Sequence, residues 1–141
     1  MDDIIFKKVW EDEVMFEVNV LVKTERMNVN QNFYMTEEIL NKLCESLSEY
    51  SLHHNEEKEI IISHNVSDDY PIVKMKLLPA DEIGNVSIDI YFAYDEHVGY
   101  IYYCNSIVET NLSHLSILSE KLKYLLYEDL GYKVYLNSFN S

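Results

Sequence analysis

The chain has 141 residues, 48% apolar and 26% charged, which is the length and apolar content of one globular domain with its own core rather than of a disordered segment. Eleven Lys+Arg against 25 Asp+Glu leave a formal charge of -14, and Arg26 is the sole arginine; neutralising phosphates needs clustered Lys/Arg, which argues against a nucleic-acid reader. No apolar run approaches the roughly 20 residues of a membrane span, and the acidic start Met1-Asp2-Asp3 is unlike the basic start of a signal peptide, so a cytoplasmic protein without membrane contact is expected.

Taken in order, residues 13–23 alternate, with Val14, Phe16, Val18, Val20 and Val22 on one face and Glu17, Asn19 and Lys23 on the other, the pattern of a half-buried antiparallel strand. Past a polar break at Thr24 and Glu25, a second alternation sets Met27, Val29, Gln31, Phe33 and Met35 against three asparagines and Tyr34, which predicts a hairpin. Thr36 is a helix cap, Glu37 and Glu38 suit the positive end of the helix dipole, and Ile39, Leu40, Leu43, Leu47 and Tyr50 form one apolar stripe. Ile60 to Ile62 form a short β-branched strand, and residues 72–78 form a strand bounded by Pro71 and Pro79.

Residues 86–94 and 100–109 alternate on either side of a loop and predict a long hairpin. From Leu112 the spacing becomes helical, through Leu115, Leu118, Leu122, Leu125, Leu126 and Leu130 to Gly131, with Ser113 as a candidate cap. The tail at 132–139 is a further strand or an ordered strap. The order β-β-α-β-β-β-β-α, with hairpins and no β-α-β alternation, predicts a single α+β domain in which two helices pack on one face of an antiparallel sheet of about six strands.

Catalytic signatures are sparse. Gly84, Gly99 and Gly131 are too far apart for a phosphate loop, and no serine-hydrolase elbow is present. His53, His54, His64, Asp68 and Asp69 share a polar stretch and have the ligand types of zinc or another divalent ion, yet their spacing matches no known zinc finger, and Asp68 and Asp69 before Tyr70-Pro71 are explained as well as turn residues. The paired carboxylates Glu37/Glu38, Glu56/Glu57, Asp68/Asp69, Asp81/Glu82, Asp95/Glu96 and Glu128/Asp129 are too many for any one to stand out. Cys44 and Cys104 fall in different elements and are expected to be reduced. No cofactor is expected.

Binding features are stronger. Residues 1–70 hold 16 Asp+Glu against 6 Lys+Arg, a field that draws basic partners. Twelve tyrosines, with Tyr91, Tyr94, Tyr100, Tyr102 and Tyr103 concentrated in the long hairpin, suit a recognition surface because each offers large area, a polar tip and few rotors; the alternative is that they cover the sheet beneath the helices.

Several stretches resemble a known group. Phe16 to Val22 followed by Asn32-Phe33-Tyr34-Met35-Thr36-Glu37-Glu38 and a leucine-rich helix, then Leu77-Leu78-Pro79-Ala80-Asp81, Gly84-Asn85-Val86-Ser87-Ile88 and Val108-Glu109-Thr110-Asn111-Leu112, resemble small acidic immunity proteins of bacterial contact-dependent and polymorphic toxins, in particular those of wall-associated nuclease toxins. The likeness covers residues 13–126. It implies a non-enzymatic, cytosolic inhibitor of a basic toxin domain, with no individual contact residue to transfer. On the residues and the resemblance together, Glu37, Glu38, Glu56, Glu57, Tyr91, Tyr94, Tyr100 and Tyr102 are the candidate partner-binding residues. The alternatives are a small metal-dependent or acid/base enzyme using the His53 to Asp69 region, and a housekeeping protein-binding adaptor.

Overall fold

The computed structural model describes residues 2–63, 72–95 and 101–138. Among these residues eight strands form two antiparallel sheets of four. Sheet I contains β1 (Asp3–Glu11), β2 (Phe16–Lys23), β3 (Asn28–Met35) and β8 (Lys133–Tyr135) in the order β3-β2-β1-β8. Sheet II contains β4 (Lys58–Ser63), β5 (Ile72–Leu77), β6 (Asn85–Asp95) and β7 (Ile101–Asn111), side by side in chain order. The helices are α1 (Glu37–Leu52) and α2 (Leu112–Lys121), and α2 tightens into a 3-10 helix at Leu122–Leu126. The class is α+β, as the chain order predicts.

Within the strands the alternation read from sequence is largely the burial observed, while Val14 and Met27, expected on the inward faces, fall before β2 and β3 begin and are exposed. Phe16, Val18, Val20 and Val22 of β2, Val73, Met75 and Leu77 of β5, and Ile88, Ile90 and Phe92 of β6 are buried, while the residues between them are at least partly exposed; Ala93, next after Phe92, is buried as well. In α1, Leu40, Leu43, Cys44, Leu47 and Tyr50 recur at three- and four-residue steps and are buried, so the helix lays one stripe on the sheets. Thr36 caps α1, its Oγ1 accepting the Ile39 N–H at 3.3 Å. α1 packs on α2 and on β4, α2 packs on β7 and β8, and one apolar cluster runs through both sheets and both helices.

Four features differ from the sequence reading. The sheet is split in two and gains β1, whose alternation is masked because Lys8 occupies the inward position next after Ile4 and Phe6. β8 realises the strand alternative for the tail. The second helix is shorter than its leucine stripe: regular helix ends at Lys121, and Leu130 is exposed. Asn111, not Ser113, caps α2, its Oδ1 accepting the His114 N–H at 2.9 Å. Gly131 sits at φ +94° in the turn before β8, where a left-handed backbone favours glycine.

Two polar assemblies hold the termini. Lys8 is 1% exposed; its Nζ donates to the Glu128 carbonyl at 3.0 Å, pairs with Glu11 Oε2 at 2.6 Å, and lies 5.7 Å from the centre of the Phe16 ring. Asn137, also buried, donates from Nδ2 to the Asp2 and Glu109 carbonyls and accepts Thr110 Oγ1 on Oδ1, which also lies 2.9 Å from His114 Nδ1. Its backbone N–H donates to Asp3 Oδ1 at 2.7 Å, and Ser138 N–H donates to Asp3 Oδ2. The start of β1, the end of β7, the first turn of α2 and the carboxy-terminal strap therefore meet at one residue.

Candidate protein-binding surface

The solvent face of sheet II carries a cross-strand ladder of side chains. Register places Glu59, Lys76, Asp89 and Ile107 in one row and Ile61, Lys74, Tyr91 and Asn105 in the next. Charges of opposite sign stand beside each other, a favourable arrangement on an exposed sheet. Lys74 Nζ lies 4.7 Å from the Tyr91 ring centre, Asn105 Nδ2 donates to Asp89 Oδ1 at 3.1 Å, and Ser87 Oγ donates to the Glu109 carboxylate. Ile61 and Ile107 are more than half exposed. A shallow recess of about 180 Å³ opens among Glu59, Lys74, Lys76, Asp89, Tyr91 and Asn105.

Beside this face lies the α1–β4 connection. Glu57 reaches Lys76 at 3.4 Å and so joins the Tyr91 surface. Glu56, exposed, lines a neighbouring cleft of about 350 Å³ with Glu49, Tyr50, His53, Glu57 and Lys58. Lys58 hydrogen-bonds Glu49 at 2.7 Å, and that bond holds the Glu49 carboxyl below the usual carboxylate range. Tyr50, raised above its ordinary value by burial, donates its hydroxyl to the Leu78 carbonyl at the floor of the same region. Glu37 and Glu38 lie at the other end of α1, about 20 Å along its axis by its rise per residue. Both are exposed, and Glu38 pairs loosely with Lys42 at 3.3 Å.

The eight candidate residues thus divide. Glu56, Glu57 and Tyr91 are brought together around sheet II, and Glu37 and Glu38 form a separate acidic end. Tyr94 and Tyr102 pair across β6 and β7 by backbone register, but their side chains, and the whole of Tyr100, lie outside the described residues. Of the metal candidates, His64, Asp68 and Asp69 are likewise outside them. His53 closes α1, its N–H donating to the Glu49 and Tyr50 carbonyls, and the His54 carbonyl accepts from Ala80. Among the described residues no group of three or more His, Cys, Asp and Glu is placed to hold a metal. Cys44 and Cys104 are free thiols in different elements, and burial pushes the Cys44 thiol up.

Sequence reasoning missed two exposed aromatic groups. Trp10 and Tyr34 arch over Glu17 on the outer face of sheet I, ring centres 6.1 Å apart and planes at 87°. Their signal was the strand β1 itself, since both residues flank Glu17 once β1 is paired. Tyr124, Tyr127 and Leu130 stand exposed after α2, where the helical stripe was read as running on.

No family model matches the sequence, and no curated protein matches it either. Among solved structures, the fold is similar to one chain of the CdiA-CT/CdiI toxin and immunity complex from Enterobacter cloacae: TM-score 0.51 at 13% sequence identity, covering 84% of this chain and 96% of that one. At that identity the likeness is one of fold, and it extends over most of this chain and nearly all of the other. No helix among the described residues is long and apolar enough to cross a membrane.

Proposed function

We propose that this chain is a non-enzymatic, cytoplasmic immunity protein that neutralises a toxin domain of basic, nuclease type by covering its active-site surface. The fold likeness to a chain of a toxin and immunity complex supports the class. The charge carries the choice of side within such a pair: a domain that must engage a polyanion needs clustered cations, whereas a chain at -14 is built to meet them. Glu37 and Glu38 at one end of α1 and Glu56 and Glu57 at the other supply the long-range field, and the Tyr91 face of sheet II supplies flat contact area beside Glu57.

Co-expression tests the reading. An inhibitor of this kind is expected to be encoded just downstream of its toxin; cells producing the toxin domain found upstream are expected to grow when this chain is present and to die when it is absent. Reversing Glu37, Glu38, Glu56 and Glu57 to lysine is expected to slow association about tenfold or more at low salt, with the dissociation rate changed far less, because rim charges act on encounter. Equal killing with and without the chain contradicts the proposal. Full protection with unchanged association after the four reversals would retain immunity and remove these glutamates from its mechanism.

A further inference from the structure

Among the described residues β7 is the longest strand that is paired on one side alone. β7 is hydrogen-bonded on one side only, by β6, through an unbroken register that runs from Ile101↔Asp95 to Asn111↔Asn85. Leu112 donates its N–H to the Gly84 carbonyl at 3.0 Å, the bond that flanks a strand pair not itself hydrogen-bonded. Asn111↔Asn85 is therefore such a pair, and strict alternation makes Glu109, Ile107 and Asn105 the same. Their N–H and C=O groups point away from β6. The Glu109 carbonyl bears this out, since it accepts Asn137 Nδ2 at 2.8 Å from the far side. Beyond it, the N–H and C=O of Ile107 and Asn105 line an edge of sheet II that no other described strand pairs with.

Exposed edges are ordinarily blunted by shortness, bulges, lysine or proline. β7 is eleven residues long with no lysine, proline or bulge, and its Ile107 side chain is 53% exposed. The other edges differ: β8 has three residues, β4 carries Lys58 and a register shift between Ile61 and Ser63, and β3 approaches β4. In front of the β7 edge lies a cleft of about 660 Å³, its near wall formed by Ser106, Ile107 and Glu109 and its far wall by Asp2 and the β2–β3 turn at 24–26. Asp2, Glu25 and Glu109 against Arg26 make the cleft acidic.

We infer that this edge takes an extended, basic segment of the partner as a fifth strand of sheet II, its backbone pairing with Asn105 and Ile107 and its cations facing Asp2, Glu25 and Glu109. The inference rests on the reading of this chain as a toxin inhibitor and adds how the toxin is held. Asn137, already on the Glu109 carbonyl, ends the pairing at that residue. A second copy is the poorer occupant, because pairing β7 with itself would join two acidic clefts on two chains each at -14.

The test compares amide exchange with the effect of proline. Ile107→Pro deletes an N–H that bonds nothing within the sheet, whereas Ser106→Pro deletes one that bonds β6; the first should leave the melting temperature near that of the parent chain and the second should lower it. In the free chain the Ile107 and Asn105 amides should exchange quickly and those of Ser106 and Val108 slowly. Addition of the purified toxin domain encoded upstream should slow Ile107 and Asn105 tenfold or more, and Ile107→Pro should weaken binding about a hundredfold, the loss expected for backbone bonds at a dry interface. Tight binding with both amides still exchanging as in the free chain would overturn the strand addition and leave the inhibitor reading intact. Absence of binding by the parent chain would overturn both. Protection of Ile107 in the toxin-free chain, with sedimentation as a dimer, would assign the edge to a second copy instead.

Discussion

Replacing Asn137 by alanine is expected to destabilise the chain by about 3 kcal/mol, since it strips the partner from the buried Thr110 hydroxyl and from two part-buried carbonyls at once, and an orphaned buried group costs about 1–3 kcal/mol. The Glu109 carbonyl and Thr110 Oγ1 lose their partner inside the protein, and the Asp2 carbonyl loses a bond at its margin. The backbone bond from residue 137 to Asp3 survives, so the strap should stay docked but loosened. Urea unfolding measures the change directly: the midpoint should fall with little change in slope. Thr110→Val, which removes a single bond while keeping the shape, should cost only about 1 kcal/mol. An Asn137→Ala protein within 1 kcal/mol of the parent would mean that the four segments are not joined through this residue.

The second large effect is expected at Lys8. A cation 1% exposed is tolerable because Glu11, the Glu128 carbonyl and the Phe16 ring surround it. Lys8→Ala leaves a cavity and an unpaired carbonyl and should cost about 3 kcal/mol, while Lys8→Met keeps the stem that fills the space and should cost about 1 kcal/mol or less. Glu11→Gln should fall between them, because Glu11 is itself about half exposed and water can replace part of what it gives. Equal losses for alanine and methionine would show that the charge, and not the packed stem, is what the site requires.

These two residues also explain which parts of the fold were legible. β2, β5 and β6 follow binary alternation because every inward position is apolar, and α1 follows its stripe from the Thr36 cap to Tyr50. β1 was hidden because Lys8 stands at an inward position and a register shift before Trp10 breaks the period. The division into two sheets leaves no local mark, because which strands pair is decided by contacts distant in sequence; the addition of β8 beside β1 is one that spans the whole chain. The end of α2 was overrun because Leu126 and Leu130 continue the leucine spacing although the backbone tightens after Lys121.

The binding residues were legible in kind more than in place. Composition alone gives acid and tyrosine, but only the register shows that Glu57 reaches Lys76 and joins the Tyr91 face while Glu37 and Glu38 stand a helix length away. The edge of β7 could not be read at all from side chains, since what it offers is backbone, and which backbone groups face outward is set by pairing with β6. The Trp10–Tyr34 pair likewise exists only once β1, β2 and β3 are adjacent.

Inhibition by direct cover of a toxin domain is measured by titrating this purified chain into the purified toxin domain expected to be encoded beside it while following the toxin's own activity. Activity should fall linearly to near zero and end at one inhibitor per toxin, with the end point displaced to higher ratios when Ile107→Pro or the four glutamate reversals are used at concentrations near their weakened affinities. Activity that persists undiminished at a tenfold excess of the folded parent chain would contradict inhibition by direct cover.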